Sequence, residues 1–163
     1  MTACHQWIDS PVGRLLLVAD ETGLREAWFE KGRTPPVVDP VWRYGGEPLA
    51  EPVRQLAAYF AGELRCFDLR LNPLGTPFQL RVWDLLTAIP FGETISYGEL
   101  AGRAGNPNAA RAVGLANGSN PIPIIIPCHR VIGTNGKLTG YGGGLENKRW
   151  LLEFERRQPP LFR

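Results

Sequence analysis

Cys128 and His129 stand side by side in the run Asn120-Pro121-Ile122-Pro123-Ile124-Ile125-Ile126-Pro127-Cys128-His129-Arg130-Val131. A thiol beside an imidazole is a combination that can make cysteine a nucleophile, because the thiolate is the attacking species. A nearby histidine or helix N-terminus can bring its pKa down from about 8.5 toward neutrality. Prolines at 121, 123 and 127 keep the isoleucines out of a helix, so the pair is expected to emerge from a rigid, extended, apolar segment. Neighbouring side chains on an extended chain point opposite ways, and structural cysteines are usually buried. The pair alone therefore leaves both an attacking thiol and a packed one open.

The remaining thiols narrow the chemistry. Cys4, Cys66 and Cys128 are odd in number and widely spaced, which reads as reduced thiols in a reducing compartment rather than a disulfide framework. The possible metal ligands fall as Cys4-His5, an isolated Cys66 and Cys128-His129, without a CxxC or HxxxH pair, so no metal and no cofactor are expected.

With 163 residues, 44% hydrophobic and 21% charged, the chain has the composition of one or two small globular domains. It has no apolar run long enough to span a bilayer. Asp9, Asp20 and Glu21 near the start, without a basic segment and apolar core, argue against a secretory signal and for the cytoplasm. Before Gly75, 8 Lys and Arg stand against 10 Asp and Glu; after it, 10 stand against 6. The basic second part is compatible with a polyanionic partner.

These groups must be carried by a scaffold. Apolar runs at Trp7-Ile8, Leu15 to Ala19 and Leu24 to Phe29, separated by Asp9-Ser10-Pro11 and Asp20-Glu21-Thr22-Gly23, predict three antiparallel strands. A Gly- and Pro-rich loop is expected over 32–48. A helix follows from about Pro48 to Gly62, with Val53, Leu56, Ala57 and Phe60 on its apolar face. Arg65 to Leu71 is a candidate last strand and Asn72 to Gly75 a linker. Two domains are therefore expected, an α/β support domain over 1–72 and a mainly helical domain over 76–163. Thr76-Pro77-Phe78-Gln79 has the form of a capping box and opens a helix carrying Phe78, Val82, Leu85 and Leu86.

Ser96-Tyr97-Gly98-Glu99 reads as a second capping box, opening a short helix to about Ala104. Gly105-Asn106-Pro107 makes a turn, and a second helix runs from about Asn108 to Asn117, closed by Gly118. This is either a DNA-binding helix-turn-helix or a helical hairpin used for packing. The second helix is rich in Ala109, Ala110, Ala112, Val113, Gly114 and Ala116, with Arg111 its one long cation. Such a helix can lie close to a surface while a single arginine enters a base stack.

The segment Ile126 to Val131, with Asn120 eight residues before the cysteine, resembles the active-site signature of the O6-alkylguanine-DNA alkyltransferases. Phe91 to Tyr97, Ala109 to Gly114, Gly140 to Leu145 and Lys148 to Leu152 fall in that family's order and approximate spacing, and the resemblance is strong from Thr76 to Glu155. It implies a ribonuclease H-like N-terminal domain and a winged-helix-like C-terminal one. It also implies nucleotide flipping and a suicidal, single-turnover transfer of the alkyl group from O6-alkylguanine, and from O4-alkylthymine, in double-stranded DNA.

Carried over residue by residue, the resemblance makes Cys128 the alkyl acceptor and His129 its base through a bridging water. Glu155, chosen over Glu153, becomes the carboxylate behind His129. Tyr97 becomes the proton donor to the leaving guanine, and Asn120 the brace of the turn before the active-site strand. Arg111, with Ala110, Ser96 and Asn117, is assigned to DNA. Tyr141, Gly142, Gly143 and Val131 are assigned to the alkyl pocket, Gly142 standing where some members carry a larger residue, which implies room for bulkier groups. Asn117 and Gly118 likewise replace bulkier residues. A monomer in solution is implied, with cooperativity along DNA left open. Competing readings are a non-catalytic sensor of alkylated DNA, which Cys128 disfavours, and a helix-turn-helix regulator, which lacks base-reading side chains on its second helix. A Cys-His hydrolase is a further alternative, and it would turn over repeatedly.

Overall fold

In the computed structural model, which describes residues 2–159, strands β1 (Cys4–Ile8), β2 (Leu15–Asp20) and β3 (Gly23–Phe29) form an antiparallel meander. Every residue of β2 is buried, as an apolar strand between two neighbours should be. The turn into β3 is fixed by Asp20, whose carboxylate accepts the Thr22 amide at 2.8 Å and pairs with Arg25 at 2.9 Å. The 32–48 stretch is not wholly loop: β4 (Arg43–Tyr44) pairs in parallel with β1, giving the sheet order β3-β2-β1-β4.

A 3₁₀ turn at Glu47–Leu49 leads into α1 (Ala50–Phe60). Its buried face is Pro52, Gln55, Leu56 and Tyr59, one residue back from the expected Val53, Leu56, Ala57 and Phe60, a rotation of about 100°. Gln55 explains a second departure. Its side-chain amide donates to the Asp68 carbonyl at 3.0 Å and accepts from the Asp68 amide at 2.9 Å. The segment expected as a last strand, Arg65 to Leu71, thus has part of its backbone satisfied by a side chain, and joins β3 through an isolated bridge between Leu24 and Leu71. Further along β3, the Ala27 amide donates instead to the Pro121 carbonyl at 2.8 Å.

The second part begins with α2 (Pro77–Thr87), whose reciprocal Thr76 and Gln79 capping box is present. Val82, Trp83 and Leu86 form its buried face, while Phe78 is 40% exposed. The Trp83 indole donates to the Ala116 carbonyl at 2.8 Å, tying α2 to the helical hairpin. That hairpin consists of α3 (Tyr97–Arg103) and α4 (Ala110–Gly118), α4 starting two residues later than expected. Only half of the second capping box forms: Ser96 Oγ accepts the Glu99 amide at 3.0 Å, but the Glu99 carboxylate turns to Arg103 at 2.7 Å. Strands β5 (Ile95–Ser96) and β6 (Val131–Ile132) pair in parallel, and α5 (Leu145–Arg157) closes the described chain.

This is a mixed α and β fold, a small sheet unit followed by a helical unit, with one apolar core running through both. Among the described residues, no helix is long and apolar enough to cross a membrane.

Candidate active site

The loop before Cys128 is folded, not extended. The Ile126 amide donates to the Ile122 carbonyl at 2.9 Å, and Ile124 sits at φ 75°. That is a strained conformation for a β-branched residue, costing on the order of 1–3 kcal/mol. Asn120 holds it: its Nδ2 donates to the Ile126 carbonyl at 2.7 Å and its Oδ1 accepts the Ile122 amide at 2.9 Å. Cys128–Arg130 then form a 3₁₀ turn, which sends His129 and Arg130 toward α5.

There Glu155 gathers donors from four residues. Its Oε2 lies 2.8 Å from His129 Nε2, accepts the Tyr59 hydroxyl at 2.7 Å and Arg130 Nη2 at 2.9 Å; its Oε1 accepts Arg130 Nε at 2.9 Å and the Gly92 amide at 3.1 Å. Arg130 Nη1 donates to the Ile89 carbonyl at 2.7 Å. Burial alone would raise the Glu155 pKa, yet the hydrogen bonds and charges of His129 and Arg130 hold it far below the usual carboxylate range. Glu155 therefore stays charged and orients His129 without taking its proton. Glu153 is exposed on the opposite side of α5.

Burial pulls the His129 pKa below the ordinary imidazole value, against the opposing effect of Glu155. With Nε2 engaged by a carboxylate, the tautomer is set and Nδ1 carries the lone pair; among the described residues Nδ1 has no hydrogen-bond partner. Burial also pushes the Cys128 thiol up to about 11, partly offset by a hydrogen bond from Asn120 and the charge of Lys148. The resting thiol is protonated, and it can attack only by handing its proton to a base.

Lys148 is fully buried, its Nζ donating to the carbonyls of Val131 at 2.7 Å and Thr139 at 3.0 Å. It supplies a positive charge toward the sulfur while fixing the chain on both sides of the 132–138 loop. Burial lowers its pKa.

Cys128, 5% exposed, lines a cavity of about 300 Å³. Its walls include Asn120, Pro123, Tyr141, Gly142 and Gly143, with Trp28, Phe29 and Arg33 contributed by the sheet unit. The Arg33 amide donates to the Gly142 carbonyl at 2.7 Å, closing the two halves over the cavity. Gly143 is required here, because a Cβ would meet the Phe29 ring at 2.7 Å; at Gly142 a Cβ would enter open space. Burial raises the Tyr141 pKa well above its ordinary value, and its hydroxyl has no partner among the described residues.

Other expected positions differ. Asn117, assigned to DNA, is buried: its Nδ2 donates to the Cys128 carbonyl at 3.4 Å, it lines the cavity, and its Oδ1 is unpartnered among the described residues. The α4 register turns position 117 inward beside Val113 and Ala116. Val131, assigned to the pocket, is buried behind it and contributes its carbonyl to Lys148 rather than a wall. Tyr97 is not on the cavity wall; its hydroxyl accepts from Thr139 Oγ1 at 3.0 Å and its ring lies against Gly114. Ser96 is occupied as a cap, Ala110 is half-buried, and Arg111 is exposed, with no ion pair among the described residues. Sequence reasoning assigned no role to Tyr59, Arg130 or Lys148. Arg130 and Lys148 sit inside the motifs, and a tyrosine on the apolar side of α1 needs a partner for its hydroxyl.

The comparisons with known proteins agree over most of the chain. Residues 77–157 match the family described as 6-O-methylguanine DNA methyltransferase, DNA binding domain, and residues 4–73 match its ribonuclease-like domain. The methylated-DNA–protein-cysteine methyltransferase of Methanosarcina acetivorans is 56% identical over 90% of this chain and 94% of its own length. That of Mycobacterium tuberculosis is 55% identical over 96% and 94%. The crystal structure of the Mycobacterium tuberculosis O6-methylguanine methyltransferase superposes with a TM-score of 0.88 at 50% identity, covering 98% of this chain and 96% of that one. That organism's OGT in complex with DNA gives 0.87 at 51% identity, covering 96% and 95%.

Proposed function

The chain belongs to the 6-O-methylguanine DNA methyltransferase family, and on that premise we propose that it repairs O6-alkylated guanine in double-stranded DNA by moving the alkyl group onto Cys128, irreversibly and once per molecule. The observation that carries this reading is the place of Cys128 on the cavity wall, backed by His129 and Glu155.

A base stacked in a duplex cannot reach the sulfur of a buried cysteine on a cavity wall, so the nucleotide must be extruded into the cavity. The exposed Arg111 on α4 is suited to fill the gap it leaves. His129 Nδ1 accepts the thiol proton through a bridging water. The sulfur then attacks the alkyl carbon in line, forming the S–C bond as the C–O6 bond breaks. Guanine departs with the bonding electrons and takes a proton from Tyr97, once that hydroxyl exchanges its Thr139 contact for the base. The proton taken by His129 passes through water to the Tyr97 phenolate, restoring both side chains, so the net transfer is one proton from sulfur to guanine. The thioether has no route back, which makes the protein a reactant.

In this reading residues 1–72 and 76–163 are two domains that share the active site, and O4-alkylthymine is a second substrate. The three free thiols suit a reducing cytoplasm, and a monomer suffices because every group named lies on one chain.

Intact-mass measurement after incubation with a duplex containing O6-methylguanine tests the reading. A gain of one methyl, mapped to the peptide carrying Cys128 and absent from Cys128→Ala, is expected. Tight lesion-dependent binding without an adduct would favour the sensor.

A further inference from the structure

Glu155 receives one donor from the sheet unit. Tyr59 on α1 is completely buried, and its hydroxyl donates at 2.7 Å to Oε2, the same oxygen that His129 approaches at 2.8 Å. The ring is locked among Phe60, Phe67, Phe91 and Phe154, with centroids 5.0 to 6.1 Å away. Nothing in the chemistry above uses this hydroxyl, yet a phenol in an aromatic cluster gains nothing from it except this bond.

We propose that Tyr59 is a positioning residue for alkyl transfer: it holds Glu155 Oε2 in line with His129 and shares that oxygen's charge, so that the N-terminal domain takes part in the chemistry as well as supporting the fold. The inference rests on the reading of Cys128 as acceptor and His129 as base.

Sharing sets the sign of the effect. His129 must be neutral to accept the thiol proton, and the Glu155 charge favours the protonated imidazole. Burial, Arg130 and Lys148 oppose it. Tyr59, Arg130 and the Gly92 amide all draw on the Glu155 carboxylate from other elements. Removing the phenol leaves fewer donors on Oε2, strengthens its pull on His129 and favours the protonated ring. The carboxylate also loses the one donor anchored in α1.

Tyr59→Phe isolates the hydroxyl, since the aromatic contacts remain and Glu155 keeps its other donors. Single-turnover methyl transfer from an O6-methylguanine duplex would be followed against pH for the wild type and the variant, with duplex affinity and melting temperature measured in parallel. The expected result is a plateau rate lowered about tenfold, the weight of one charge-assisted hydrogen bond. The acid limb of the profile should also move to higher pH, at unchanged duplex affinity. Superimposable profiles, or a uniform fall in rate without movement of the acid limb, would overturn the proposal. Failure of the wild type to methylate Cys128 would overturn the transfer reading as well, which keeps the two failures distinguishable.

Discussion

His129 Nε2 and Glu155 Oε2 lie 2.8 Å apart, in side chains 0% and 1% exposed, and this contact fixes which imidazole nitrogen is left to act as a base. Glu155→Gln keeps the shape and removes the charge. The neutral amide no longer enforces the tautomer, and Arg130 is left buried without its counter-ion. The transfer rate is expected to fall by about 10²-fold or more, and stability by about 3 kcal/mol. Single-turnover kinetics and denaturant unfolding check the two separately.

The same groups make stability depend on pH at both ends. His129 and Glu155 both have depressed pKa values in the fold, so in acid the unfolded chain binds protons first. Stability should fall as pH drops below the unfolded histidine value of 6.5, and fall more steeply below the unfolded glutamate value of 4.5. Cys128 works the other way: raised from 9.0 to about 11, its thiol stabilises the fold fully below pH 9, and that contribution is lost as pH rises toward 11. Melting temperatures from pH 4 to 11 should form a dome, with the alkaline fall reduced in Cys128→Ala.

Thiol reagents should separate the cysteines. Cys66 is exposed, whereas Cys4 and Cys128 are buried with raised pKa values. Iodoacetamide at neutral pH is expected to label Cys66 first and Cys128 slowly, leaving transfer activity intact when only Cys66 is modified. Peptide mapping beside the activity assay checks the order.

Two neighbouring glycines should behave differently. Gly143→Ala drives a Cβ to 2.7 Å from the Phe29 ring. It should displace the 140–144 loop and lower stability by about 1–3 kcal/mol. Gly142→Ser meets open space and should fold normally, while narrowing the cavity and shifting the ratio of rates toward methyl and away from bulkier alkyl groups. Rates with O6-methylguanine and O6-benzylguanine duplexes, compared with the wild type, test this.

The strand meander and the helical hairpin were legible because turn residues and apolar periods mark them locally. The cap at Thr76 was legible for the same reason. The family resemblance, not the motif alone, brought Glu155 to Cys128 and His129, and the contact between His129 and Glu155 is present in the fold. What stayed hidden depends on partners distant in sequence. Gln55 satisfies the backbone of Asp68, so the Arg65 to Leu71 strand does not form. Asn120 clamps a bent loop that its prolines suggested was extended. The register of α4 decides that Asn117 turns toward Cys128, and the bond from Tyr59 to Glu155 spans 96 residues. Nor could adjacency reveal that burial holds the thiol protonated, since that follows from packing around the whole cavity.

The central claim is that Cys128 is consumed in the reaction. The most direct test supplies a molar excess of O6-methylguanine duplex to a counted amount of protein, and follows restored guanine and methylated Cys128 together over time. Both should rise in step and stop at one per protein molecule, with neither formed by Cys128→Ala. Continued release of guanine beyond that point, or a methyl group found on another residue, would contradict it.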